Sequence, residues 1–163
     1  MHKLGLNKDE YIEYLVEKYA DTVYRLAISR TRDRDSSEDI FQEVFLRLSK
    51  KIPEFQSEEH EKAWIIRVTI NCTKNMLNSK WNKCVDILET ELAEENIKVE
   101  DVYYDVLRLP QKYRTVIHLF YYENLSIKEI SKILNTKETT IKTWLSRGRQ
   151  KLKSILEGGF DDE

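Results

Sequence analysis

Between Leu125 and Leu152 the chain carries a pattern that few arrangements can hold. Ser126 and, three residues later, Glu129 form a capping box that starts a helix. Ile127, Ile130 and Leu134 give that helix one apolar stripe. Asn135 then stands where a turn between helices needs a left-handed residue, a conformation Asn tolerates better than most. From Glu138 to Leu152 a second helix repeats Ile141, Leu145, Gly148 and Leu152 at helical spacing, and the small Gly148 lets a partner helix come close. Lys137, Lys142, Arg147, Arg149, Lys151 and Lys153 meet the single acid Glu138 over this stretch, and most share a face with Thr139, Thr140, Thr143, Ser146 and Gln150. The layout is that of a helix-turn-helix whose second helix enters the major groove of DNA. Two packed helices with a solvated charged face would use many of the same residues. The turn, the cap and the charge bias together favour nucleic acid.

Charge matters by region rather than in sum. Lys plus Arg number 27 and Asp plus Glu 29, so the whole chain is not a basic nucleic-acid binder. Between Asp86 and Asp105, however, Asp86, Glu89, Glu91, Glu94, Glu95, Glu100, Asp101 and Asp105 face only Lys98. With 34% charged residues, four Gly and two Pro in 163 residues, a helical soluble protein is expected rather than a strand-and-turn fold. No apolar run is long enough to span a membrane, and no secretory leader is expected. Cys72 and Cys84 lack a CxxC partner, and His2, His60 and His118 are scattered. No disulfide or metal site is expected, and reduced thiols in the cytoplasm are the default.

Along the chain, Asp9–Arg30 reads as a long amphipathic helix with Ile12, Leu15, Val16, Tyr19, Val23, Leu26 and Ala27 on one face. The run Asp33-Arg34-Asp35-Ser36-Ser37 breaks it and caps a second helix, from about Ser37 to Lys50, with Ile40, Val44, Phe45 and Leu48 inward. Pro53 ends that helix, and Phe55 to His60 reads as a polar loop. A third helix, from about Glu61 to Ser79, is apolar over most of its circumference through Trp64, Ile65, Ile66, Val68, Ile70 and Leu77. The acidic stretch that follows has no convincing period and reads as a linker. A short helical segment ending at Leu109-Pro110 and another from about Lys112 to Glu123, with Val116, Ile117 and Phe120, precede the helix-turn-helix. An all-α chain of two small helical domains is expected: 1–82, a flexible acidic linker 83–103, and 104–163.

Two further surfaces bear on function. Arg67, Asn71, Lys74, Asn75 and Asn78 fall on one stripe of the third helix, with Lys80, Trp81 and Lys83 just beyond. Cations bind phosphates and Asn amides suit base edges, so a stripe of this kind after a polar loop can hold a base displaced from the stack. A solvated polar face has the same composition. On the second helix Asp39, Gln42, Glu43 and Leu46 form an acidic and apolar patch that can dock a basic partner, or serve as ordinary surface.

Taken in order, Asp39-Ile40-Phe41-Gln42-Glu43-Val44-Phe45-Leu46-Arg47-Leu48, Ala63-Trp64-Ile65-Ile66-Arg67-Val68 up to Asn71, and Leu109-Pro110 ahead of a helix-turn-helix closing in Arg147-Gly148-Arg149 resemble an extracytoplasmic-function (ECF) sigma factor. These are the small bacterial sigma subunits of RNA polymerase that keep only conserved regions 2 and 4. The resemblance covers about Tyr11 to Leu156. It implies that region 2 spans Tyr11 to about Trp81 and contacts the coiled coil of the polymerase β′ subunit through Asp39, Gln42, Glu43 and Leu46. It implies that the loop from Phe55 to His60, through Phe55 and Gln56, and the helix bearing Arg67, Asn71, Lys74, Asn75 and Asn78 melt and capture the −10 element. Region 4, about Tyr104 to Leu156, would read the −35 element through Thr139, Thr140, Lys142, Thr143, Ser146, Arg147, Arg149 and Lys151, with its apolar face near the β flap. The acidic linker matches the tether that runs near the RNA exit path, and an anti-sigma partner often accompanies such factors. Asn75 and Asn78 stand where the family commonly has an acid and a basic residue, and the basic run after that helix is shortened. Both departures bear on the −10 preference rather than on the role.

No glycine-rich phosphate loop, nucleophile beside a base or paired carboxylates in an identifiable pocket is present in the sequence, so no enzymatic activity, catalytic residue or cofactor is expected. A self-sufficient dimeric helix-turn-helix regulator competes with this reading, but the chain shows neither coiled-coil heptads nor a ligand domain. A helical adaptor that binds only protein leaves the basic helix unexplained.

Overall fold

The computed structural model describes the backbone of residues 5–83 and 101–158, and side chains over 5–78 and 103–158. The chain divides into two compact units, 1–91 and 92–163. Among the described residues every regular element is a helix. The all-α expectation is met. The acidic reading of 84–100 lies outside the described residues.

In the first unit α1 (Lys8–Thr31) opens on a full capping box: Asn7 Oδ1 accepts the Glu10 N–H at 3.0 Å, and Glu10 accepts the Asn7 N–H at 3.0 Å. It ends on Arg32 in the left-handed region, φ 54°. Helix α2 (Arg34–Lys50) begins three residues before its expected start because Asp33, rather than a later residue, is the cap and accepts the Ser36 N–H at 3.0 Å. Helix α3 (Glu58–Lys83) also starts three residues early. There Ser57 Oγ accepts the His60 N–H at 3.1 Å and the Ser57 carbonyl accepts the Glu61 N–H, so His60 belongs to the helix and not to the loop.

The three helices pack pairwise around Leu15, Val23, Ile40, Val44, Leu48 and Ile65, all essentially inaccessible to solvent. Each such side chain contributes about 1.5–3 kcal/mol relative to exposure. One polar knot crosses this packing. Glu61 is buried and accepts from Tyr19 Oη at 2.7 Å, Lys18 Nζ at 2.9 Å and Tyr11 Oη at 3.0 Å. Burial alone would raise the Glu61 pKa, but the bonds from Tyr19, Lys18 and Tyr11 outweigh it and hold the carboxyl below its ordinary value. Burial together with the neighbouring carboxylate pushes Tyr11 up to about 12. Buried Arg30 donates to Thr73 Oγ1 at 3.2 Å, and its desolvation lowers it to about 10.

In the second unit α4 (Asp101–Leu107) begins inside the stretch read from sequence as tether. Its C-terminal end is closed by a side chain the sequence did not mark: buried Arg114 donates to the Leu109 carbonyl at 2.9 Å and the Leu107 carbonyl at 3.3 Å. Helix α5 (Gln111–Ile117) widens into a π-helical turn, His118–Tyr122, where a single regular helix to Glu123 was expected. Helix α6 (Ile127–Leu134) carries the anticipated Ser126/Glu129 box, with bonds of 3.1 and 3.0 Å. Its buried apolar residues are Ile130 and Ile133, while Ile127 and Leu134 are half-buried, so the stripe is rotated by about one residue from the expected one. The turn closes as a Schellman motif: Asn135 has φ 51°, its N–H reaches the Lys132 carbonyl and the Thr136 N–H reaches the Ser131 carbonyl at 3.0 Å. Helix α7 (Glu138–Leu156) lies against α5 at Gly148, where an added Cβ would stand 3.1 Å from Ile117 Cγ1 and 3.3 Å from Tyr113 Cβ.

Candidate functional site

Helix α7 exposes a polar face because its other side is committed. Ile141, Leu145 and Gly148 are buried, which turns Thr139, Lys142, Thr143, Ser146 and Arg147 together towards solvent. Thr140 and Lys151 are half-buried at the flank of this face. Thr143 Oγ1 donates to the Thr139 carbonyl at 3.0 Å, leaving its lone pairs outward. Arg149 is exposed on the other flank, where its guanidinium donates to Tyr121 Oη at 3.2 Å. Behind Arg149 runs an open groove of about 550 Å³, lined by Val106, Ile117, Tyr121, Leu152 and Leu156 among others. Tyr121 and Leu156 are about half exposed there, an apolar surface the sequence had not located.

In the first unit, Arg67, Asn71, Lys74, Asn75 and Asn78 are all exposed on one stripe of α3, while Ile66, Ile70 and Thr73 between them are buried. Five polar side chains thus share a face of a helix otherwise covered by α1 and α2. Lys80, Trp81 and Lys83 lie outside the described side chains. Just before α3, Gln56 is exposed and Phe55 half-buried, its ring edge-on to Trp64 at 5.7 Å and to His60 at 5.6 Å. The Gln56 N–H donates to His60 Nδ1 at 3.1 Å. The sequence placed His60 only as the last residue of the polar loop, although the spacing Ser57-x-x-His60 is that of a capping box with His in the acid's place.

On α2, Asp39 and Gln42 are exposed and Leu46 is 50% exposed, a large apolar side chain left in water. Glu43 is half-buried and accepts from Arg47 at 2.8 Å, an i,i+4 pair on the same face. Among the described residues no group of three or more His, Cys, Asp or Glu could hold a metal ion, and no helix is long and apolar enough to cross a membrane. Cys72 is buried, and burial raises its thiol pKa.

Known proteins match this geometry over nearly the whole chain. Residues 15–83 match the model of Sigma-70 region 2 and residues 106–152 that of Sigma-70 region 4. The ECF RNA polymerase sigma factor SigM of Bacillus subtilis is 30% identical, the alignment covering 93% of this chain and 99% of that protein. SigW of the same organism, also an ECF RNA polymerase sigma factor, is 30% identical over 87% of each. The fold matches that of the sigma factor RpoE in the structure of its complex with the anti-sigma factor NepR from Bartonella quintana, with a TM-score of 0.69 and 17% identity over 93% of this chain and 98% of that one. With both regions present in order, and relatives of this identity matched along nearly their full length, the chain belongs to the ECF sigma factors, the subunits that direct RNA polymerase to promoters at the start of transcription.

Proposed function

We propose that this sigma factor divides promoter recognition between two helices and holds core polymerase through a third. The face of α2 with Asp39, Gln42, Glu43 and Leu46 docks on the β′ coiled coil, its exposed leucine supplying apolar area and its carboxylates meeting basic residues. Phe55, Gln56 and the α3 stripe melt and capture the −10 element. The α7 face reads the −35 element: Thr139, Thr140, Lys142 and Thr143 near its N-terminal end reach base edges, Ser146 lies at the margin, and Arg147, Arg149 and Lys151 hold the backbone. The groove behind Arg149 faces the β flap. Region boundaries at 1–82, 83–103 and 104–163 belong to the same reading, as does an acidic tether between them. The protein works in the cytoplasm, carries no reaction of its own and leaves the chemistry to polymerase. An anti-sigma factor is a further expected partner, since the structural neighbours RpoE and CnrH were solved with NepR and with the cytosolic domain of CnrY.

The observation that carries this reading is the exposed Arg67–Asn78 stripe following a structured loop on an otherwise buried helix. Phosphate contacts alone would need cations, whereas three of its five members are amides, the groups that pair with base edges. Asn71→Ala should therefore reduce promoter opening more than initial duplex binding, because only the melted state offers a displaced base. Permanganate reactivity of the −10 region, set beside a closed-complex binding assay, measures the two. Equal loss in both assays, or loss in neither, would remove the capture role.

A further inference from the structure

We propose that His60 is a positioning residue for strand capture, holding Phe55 and Gln56 in the conformation that receives the displaced base; this rests on the capture reading above. Ser57 and His60 close the start of α3 reciprocally. Ser57 Oγ accepts the His60 N–H at 3.1 Å, and His60 returns the bond by accepting the Gln56 N–H on Nδ1 at 3.1 Å. In an ordinary capping box the third helical residue reaches back to the cap's own N–H. Here the imidazole Nδ1, one bond nearer the backbone than a Glu carboxylate oxygen, accepts instead from the residue one further upstream and fixes the backbone of the loop rather than of the cap. The same ring stands edge-on to Phe55, with centroids 5.6 Å apart, and Trp64 makes a second edge contact to Phe55 at 5.7 Å.

One exposed side chain thereby fixes both loop residues placed at the captured base. His60 is itself solvent-exposed and supports none of the core, so its contacts are local to the loop. The fold beneath is anchored separately. Glu61, the next residue, is buried and accepts the bonds from Tyr11, Tyr19 and Lys18. Removing the His60 ring therefore frees the loop without releasing α3. The bond to Nδ1 also requires that nitrogen to be unprotonated, an acceptor that an Asn Oδ1 reproduces at nearly the same distance from the backbone and a Leu of similar size does not.

The test uses holoenzyme reconstituted from core polymerase and full-length His60→Leu, His60→Asn, Phe55→Ala or Gln56→Ala chains on a promoter the wild type opens. Open-complex occupancy is read from permanganate reactivity, with closed-complex affinity and the thermal midpoint measured alongside. His60→Leu should lower opening about fivefold, the size of a lost helix-terminal side-chain bond, with closed-complex affinity nearly unchanged and the midpoint down by only a few degrees. His60→Asn should recover most of that loss. Failure of Asn to do better than Leu would overturn the acceptor role. Unchanged opening in His60→Leu, with Phe55→Ala and Gln56→Ala impaired, would overturn the His60 proposal and leave the capture reading standing. If Phe55→Ala and Gln56→Ala also open normally, the capture reading falls and takes this one with it.

Discussion

Helices α3 and α7 both show solvent a polar stripe, yet the two stripes are composed and supported differently. On α3 the exposed face holds two cations and three asparagines, and the helix beneath is covered by α1 and α2. On α7 the exposed face is threonine, serine and basic residues, and the helix is backed by α5 and by α6 across the Schellman turn. A duplex presents phosphates first and base edges only in the groove, so its reader needs cations in quantity and short side chains that let the helix approach. A melted strand presents bare base edges, which amides satisfy with few charges. Under the proposed division, affinity for intact promoter sits mainly in the second unit, and the gain on opening mainly in the first.

Whether the units stand as separate supports can be broken most sharply in their cores. Ile66→Ala should cost the first unit about 3 kcal/mol through lost burial and a residual cavity. Gly148→Leu should cost the second about 2–3 kcal/mol, since even a Cβ there meets Ile117 and Tyr113 at 3.1 and 3.3 Å. Hydrogen exchange should show each loss confined to its own unit; a loss shared by both would merge them.

The two stripes separate next by salt. Arg147→Ala should weaken all promoters alike and lower the slope of log affinity against log salt by about one unit. Arg149→Ala should do the same, because its bond to the exposed Tyr121 hydroxyl is worth only about 1 kcal/mol and yields to a phosphate. Asn71→Ala should leave that slope alone. Lys142→Ala should instead reorder preferred −35 sequences, at about 1–3 kcal/mol per good base contact, in a promoter library selected with each variant. An unchanged ranking would put the docking of α7 in error.

A smaller effect concerns the carboxylate knot at the start of α3. Because Glu61 has a lowered pKa in the folded chain, its stabilisation is present above the ordinary value of 4.5 and is lost as pH falls through the folded value. Glu61→Gln should cost about 1–2 kcal/mol at pH 7, and melts should show the gap to wild type closing below about pH 4.5. A gap constant with pH would mean the charge is not what binds Tyr11, Tyr19 and Lys18. The smallest change in stability is expected on α2. Asp39→Lys and Glu43→Lys should each alter it by no more than about 0.5 kcal/mol, the latter including the exposed Arg47 pair. Holoenzyme formation in a titrated pull-down should nevertheless weaken clearly.

Much of this was legible in residues one to four positions apart. The capping box at Ser126, the left-handed Asn135, the small Gly148 and the inward rows of α1 and α2 follow from backbone sterics, hydrogen-bond valence and helical period, which are local rules. Helix starts were misplaced where more than one side chain was able to cap. Asp33 prevailed over its serine neighbours, and Ser57 began α3 early because His60 returned the bond. Tertiary packing alone decided the rest. Arg114 turns inward because the carbonyls of Leu107 and Leu109, at and just past the end of α4, need a donor; Tyr121, in the π-helical turn His118–Tyr122, stays half exposed and meets Arg149 from 28 residues away. The local sequence sets which faces are polar; which polar groups find partners depends on elements brought together only when the apolar faces are buried.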